Sequence, residues 1–346
     1  MHILPEEEWR KLGAAIFKAV NVANPEAETM IDVLVSGSLW GIDSHGVREY
    51  PYYVKEIQEG RLHPDTRGTV RRKTPVMTLI DDTNRIGFVA AKEAMDMALD
   101  TASKVGVGAV GICNSGHVGN LFYYLMLAAK RDMIGIITAA GIGKAVAPWG
   151  GCKPVLGTNP LGFSIPTGKE RPIVLDIATS AVSYGQLQTC VLNRRPIPEG
   201  WLIDSSGHPV SGLINDLSDF WASGGALLPF GTYKGYGINL LAEILAGALT
   251  ANGTSDRGMT QGMLMIAIDI GAFTPPEDFK AEVGRLIADI KASGLREGYK
   301  EVLLPGEREF RIEAERRRSG IPVDDNSWTR IQDMCKRLGL EIGSVA

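Results

Sequence analysis

LLPFGTYKGYGINLLAEILAGALTA, residues 227–251, is the stretch on which the reading of the fold turns. Pro229, Gly231, Gly235 and Gly237 surround one cation, Lys234, and the run from Ile238 to Leu249 is apolar with Glu243 its only charge. A helix apolar on every side belongs in a core or a membrane. This run is shorter than the ~18 to 20 residues that span a bilayer. It therefore predicts a central buried helix with a glycine-rich loop and a lysine at its N-terminus. Such an end presents unpaired N–H groups and a positive dipole, which suit an anionic ligand. Taken alone, the glycines are explained as well by close packing of a core helix.

Toward the C-terminus, residues 263–270 read as a buried strand and 277–292 as an amphipathic helix. Residues 310–319 form a heavily charged helix, a solvated face. A last helix turns Trp328, Ile331, Cys335 and Leu338 inward. Toward the N-terminus lie helices over 5–20 and 25–40, the second opened by Asn24–Pro25, and a third carrying Tyr50, Val54 and Ile57. A strand over 76–80 precedes a helix over 88–105. The glycines Gly106, Gly108 and Gly111 match GxGxxG, but a dinucleotide fingerprint needs a strand before its glycines and a helix opening within them. Here a helix precedes and a strand runs through, so the Rossmann reading is rejected. A helix over 118–131 and strands over 134–138, 161–165 and 173–177 follow; residues 141–160 and 196–225 read as loop-rich. The whole predicts an α/β fold of α+β character: a mixed sheet covered by helices and flanked by helices from both termini.

The 346 residues, 45% apolar and 22% charged with net charge −4, describe an ordinary globular chain with no call for nucleic acid. No signal-peptide pattern and no membrane-length window occur, so cytoplasm is the default expectation and no membrane is a partner. Cys113, Cys152, Cys190 and Cys335 are too scattered for a disulfide framework or a zinc site. Two histidines stand among small polar residues at element boundaries, His45 in Asp43-Ser44-His45-Gly46 and His117 in Asn114-Ser115-Gly116-His117. A loop imidazole beside a hydroxyl and a glycine has room for substrate and a pKa near neutrality. No GxSxG elbow supports a Ser44 nucleophile, and no HExxH-type spacing supports a metal site.

The segments DSHGV, CNSGHVGN, APWGG, LGTNPLGFSIPT, LDIATS, PIPEGWLID, GALLPFGTYKGYG with EILAGALT, and LPGER with GIPV occur here in one order, over about residues 5–340. In this the chain resembles the malate/L-lactate dehydrogenase family, the type that includes ureidoglycolate and sulfolactate dehydrogenases, 2,3-diketogulonate reductase and Δ1-piperideine-2-carboxylate reductase. The resemblance implies NAD or NADP bound on a non-Rossmann fold with a largely antiparallel sheet. It also implies three units: 1–72 with 305–346, 73–125 with 226–304, and a cofactor segment 126–225. It implies His45 as proton donor and acceptor beside Ser44, with His117 an alternative base. The segment His117, Val118, Gly119, Asn120 and Leu121 is implied at the cofactor, as are Asn159, Asp176, Ile177, Ala178, Tyr233, Lys234, Gly306, Glu307 and Arg308. Thr158, Arg48 and Tyr52 are implied at the substrate. Relatives are homodimers or dimers of dimers with the site near a subunit contact.

Departures fall on the substrate side. Many relatives carry arginine four residues after the histidine, where this chain has Glu49 and the arginine is Arg48, about 100° away on a helix. A carboxylate at Glu49 fits a cationic or neutral substrate. Gln186 stands where relatives often have lysine or aspartate, and Tyr233 where many have histidine. The expected function is interconversion of a small 2-hydroxy acid and its 2-oxo acid. The alternatives are an imine reductase on a cyclic imino acid and a cofactor-binding non-enzyme.

Overall fold

The computed structural model of the chain describes all residues except 142, 170, 256–259 and 343–346. Its centre is a seven-stranded sheet. The strand Gln261–Asp269 lies between Val107–Ser115 and Met133–Ala140, antiparallel to both. Leu161–Ile165 and Ile173–Ile177 extend one side, again antiparallel. On the other side Met77–Asp81 pairs parallel with Val107–Ser115, and Thr69–Lys73 forms the edge. A parallel neighbour needs a crossover, supplied by the helix Gly87–Val105.

Small residues decide how close the helices come. Gly108, Ala267 and Gly135 are register partners across three strands. A Cβ at Gly108 would collide with the helix Gly87–Val105, and one at Gly135 with Ala128 of the helix Phe122–Lys130. Both helices therefore seat on that face. The opposite face takes the stretch that opened the reading: a Cβ at Gly262 would strike the carbonyl of Ala246. Helices Glu6–Ala19, Asn24–Leu39, Glu307–Ser319 and Asp325–Arg337 wrap outside the first face. A two-stranded ribbon, His2–Leu4 against Ile321–Val323, ties the N-terminal segment to the C-terminal helices.

A second, smaller apolar cluster, including Val146, Leu187, Leu202, Phe220 and Leu227, lies apart from the main core. It is built on the strands Ile197–Ile203, Pro209–Gly212 and Ala226–Leu227 and the helices Tyr184–Leu192 and Leu217–Ala222. The region read as loop-rich thus contains regular structure. Its elements are too short to show a periodicity.

The central helix corrects its own reading. It is α-helical over Tyr233–Ala242 and π-helical over Glu243–Ala248. The residues it buries are Gly235, Asn239, Ala242, Glu243, Ala246 and Gly247, while Leu240, Leu241, Ile244 and Leu249 are exposed. Backbone proximity to the sheet, which only small residues permit, set the inward face; the large apolar side chains had no room there.

Candidate active site

Between the two apolar clusters lies a cleft of about 1140 Å³. His45, on the short 3₁₀ turn Asp43–His45, and His117, in the loop after Val107–Ser115, both line it. Their rings stack with centroids 5.4 Å apart. The local sequence explains the first loop. At Gly46 a Cβ would collide with the Ser38 hydroxyl, which instead accepts from the Val47 N–H at 2.9 Å. Asp43 takes both arms of Arg316, at 2.5 and 3.0 Å. The second loop is pinned from below: a Cβ at Gly87 would lie 2.5 Å from the His117 carbonyl oxygen.

Hydroxyls hold both rings. Ser44 Oγ lies 2.8 Å from His45 Nδ1, and the Tyr53 hydroxyl 2.7 Å from His117 Nδ1. Burial, and then the neighbouring His117 and Arg48, push His45 down to about 3; burial alone takes His117 to about 4. Both imidazoles are neutral at pH 7. Burial holds the Tyr53 phenol well above its usual range, so it keeps its proton and is the better donor. With Tyr53 donating to Nδ1, the proton of His117 sits on Nε2. If His45 donates Nδ1–H to Ser44 Oγ, its Nε2 is a free base. The pair can thus hold one proton between two nitrogens, and positive charge on either imidazole opposes protonation of the other.

The cleft is also lined by Ser44, Tyr52, Gly119, Asn120, Leu121, Thr158, Asp176, Ile177, Ala178 and Gly306. Asp176 accepts from Leu121 N and Phe122 N at 2.8 and 3.1 Å. Its carboxylate fills the N-terminus of the helix Phe122–Lys130, and burial raises it to about 6. That helix end therefore serves the loop and offers no anion site. Val118 is buried beneath the cleft, its N–H donating to Gln261 Oε1.

Asn159 lies below it too. Its Nδ2 donates to Asn239 Oδ1 at 2.8 Å and to Glu243 Oε2 at 2.6 Å. Glu243 also accepts from Ser255, and Asn239 donates to the Gly157 carbonyl. The one acidic residue of the central helix is thus spent fixing residues 157–159, and Thr158 with them.

The remaining expected residues are not brought to the cleft. Tyr233, 60% exposed, and Lys234 stand on the outer face of the central helix. Glu307 pairs with Lys291, and Arg308 is exposed beside it. Arg48 lies behind the cleft wall: its Nη1 reaches Thr189 Oγ1 at 3.3 Å, and its Nε lies 3.4 Å from Glu49. Three residues the sequence reading passed over do line the cleft: Tyr53, Lys144 and Arg330. Tyr53 was masked by the adjacent Tyr52; nothing local in the sequence marks Arg330, which arrives from the C-terminal helix.

The malate/L-lactate dehydrogenase family profile matches residues 4–332. The malate/(S)-sulfolactate dehydrogenase of Methanothermus fervidus is 37% identical over 351 residues, 99% of each chain. The solved sulfolactate dehydrogenase of Methanocaldococcus jannaschii superposes with a TM-score of 0.88 at 33% identity, covering 99% of both chains. The malate dehydrogenase of Entamoeba histolytica gives 0.93 at 25% identity, over 98% of this chain and 99% of that one. With fold and sequence in agreement, the chain belongs to the malate/L-lactate dehydrogenase family and is an oxidoreductase acting on a CH–OH group.

Proposed function

We propose that the chain interconverts a small 2-hydroxy acid and its 2-oxo acid with NAD or NADP, the proton being handled by the His45–His117 pair. The observation that carries this reading is the stacked pair of neutral imidazoles, each held through Nδ1, in one cleft. The volume of about 1140 Å³ exceeds what a small hydroxy acid needs, which fits a dinucleotide beside it. Gly119, Leu121, Asp176, Ile177, Ala178 and Gly306 would hold it along one wall. A nicotinamide cofactor, when bound, supplies the acceptor or donor of hydride.

The protein's own part is the proton. In oxidation, His45 Nε2 takes the proton from the substrate hydroxyl while His117 Nε2–H steadies the oxygen. In reduction, the protonated imidazole returns it. Neutrality at working pH leaves His45 free to accept the proton, and a substrate carboxylate beside it raises its pKa from about 3 toward the working range, where a positioned acid–base group contributes about 10²- to 10⁴-fold. Thr158, fixed by the Asn159–Glu243 network, faces the substrate from the opposite loop.

The exposed apolar side of the central helix supports a homodimer. Tyr233 and Lys234 lie on that side, so any cofactor contact they make would be in the cleft of a second copy. The function is tested with 2-oxo acids, including pyruvate, oxaloacetate and sulfopyruvate, and NADH or NADPH. His45→Ala should lose at least 100-fold in kcat while NADH binding, read by fluorescence, persists. Near-normal turnover would move the base to His117.

A further inference from the structure

A 2-oxo acid brings a carboxylate that must meet a cation close to the histidines. Glu49, four residues beyond His45, lines the cleft and would repel it; Arg48, the nearest guanidinium in sequence, does not line it. Arg48 is committed to the wall. It bonds Thr189, lies beside Glu49, and lines a small crevice with Asp324 and Ser327. Arg330 differs. It lies one turn beyond Ser327 on the helix Asp325–Arg337 and lines both that crevice and the cleft. It is exposed, and it makes no salt bridge or hydrogen bond among the described residues. Its charge is felt at Glu49, where it and Arg48 oppose the upward shift that burial causes.

We infer that Arg330 is the residue that binds the substrate carboxylate, its guanidinium drawn toward the cleft by the charge of Glu49, which Arg48 braces from behind. The inference rests on the 2-oxo acid reading and deepens it. The arginine missing from position 49 is replaced from the far end of the chain, and the glutamate there supplies a charge that attracts it. Glu49 then no longer selects for a cationic substrate, because Arg48 and Arg330 offset its charge. A planar guanidinium can grip a carboxylate through two N–H bonds. Lys144, which follows Gly143 and lines the cleft, also makes no salt bridge or hydrogen bond among the described residues.

The test compares Arg330→Ala, Arg330→Lys and Lys144→Ala with the parent enzyme on the best 2-oxo acid of the panel and on its 2-oxo amide. Arg330→Ala should raise KM for the acid about 10- to 100-fold, the loss of one charge-assisted contact, with kcat within about threefold and the amide's KM unchanged. Arg330→Lys should recover part of the affinity. An unchanged KM in Arg330→Ala, equal shifts for acid and amide, or the larger effect in Lys144→Ala would overturn the assignment while leaving the dehydrogenase reading intact. If the parent turns over no 2-oxo acid, that reading fails first, and calorimetric binding of oxalate decides this one. Binding lost in Arg330→Ala upholds it; equal binding, or none in either protein, overturns it.

Discussion

Tyr53 shows how one hydroxyl can set a mechanism. Its phenol is 2% exposed, lies 2.7 Å from His117 Nδ1, and cannot ionise at working pH. It therefore fixes which nitrogen of His117 carries the proton. Removing it leaves the ring free to take either tautomer. Tyr53→Phe should lower kcat roughly 3- to 10-fold, the range for one net hydrogen bond, with little change in melting temperature. Steady-state kinetics beside thermal melts check this, and an unaltered kcat would remove Tyr53 from the proton path. The sequence made His45 and His117 legible because small residues around an imidazole mean access. It left Tyr52 and Tyr53 indistinguishable, since neighbours on a helix differ only in the 100° that packing assigns.

The helix beginning at Tyr233 teaches the opposite lesson. Its position at the centre was readable, because a run without charges other than Glu243 has to sit against a sheet. Its orientation was not. The stripe Gly235, Asn239, Ala242, Glu243, Ala246 and Gly247 is also helical in spacing, and it is the stripe that packs. Hydrophobicity ranks side chains by their cost in water, whereas the sheet ranked them by size. What the outer side chains face is a matter for a second subunit. Placing aspartate at Leu241 and Ile244 together should convert the purified chain to monomers in sedimentation equilibrium with its fold retained by circular dichroism. If the parent is already monomeric, the dimer expectation fails.

Across the whole molecule, buried groups of opposite kind offset one another in acid. His45 and His117 fall from 6.5 to about 3 and about 4, so the unfolded chain binds protons first; their contribution is complete above pH 6.5 and is lost as pH falls toward 4 and 3. Asp82 and Asp176 rise from 3.8 to about 6, so the fold binds protons first and gains stability over the same interval. Glu49, which burial also raises, joins the two aspartates against the two histidines, so the carboxylates offset the loss from the imidazoles on acidification. Asp82→Asn removes one compensating proton and should add a loss of about 1.4 kcal/mol per pH unit on acidification across that window. Urea unfolding at pH 6.5, 5.5 and 4.5 measures the slope, and a slope equal to the parent's would refute the accounting. The cleft itself could not be read from local patterns, because its walls come from residues as distant as His45, Asp176 and Arg330.

The ribbon of His2–Leu4 against Ile321–Val323 has a practical reach beyond its six residues. It precedes, by two positions, the helix that delivers Arg330. Trimming residues 1–4 removes one strand of the ribbon. A chain so trimmed should hold its acid substrate more weakly while its histidines stay untouched.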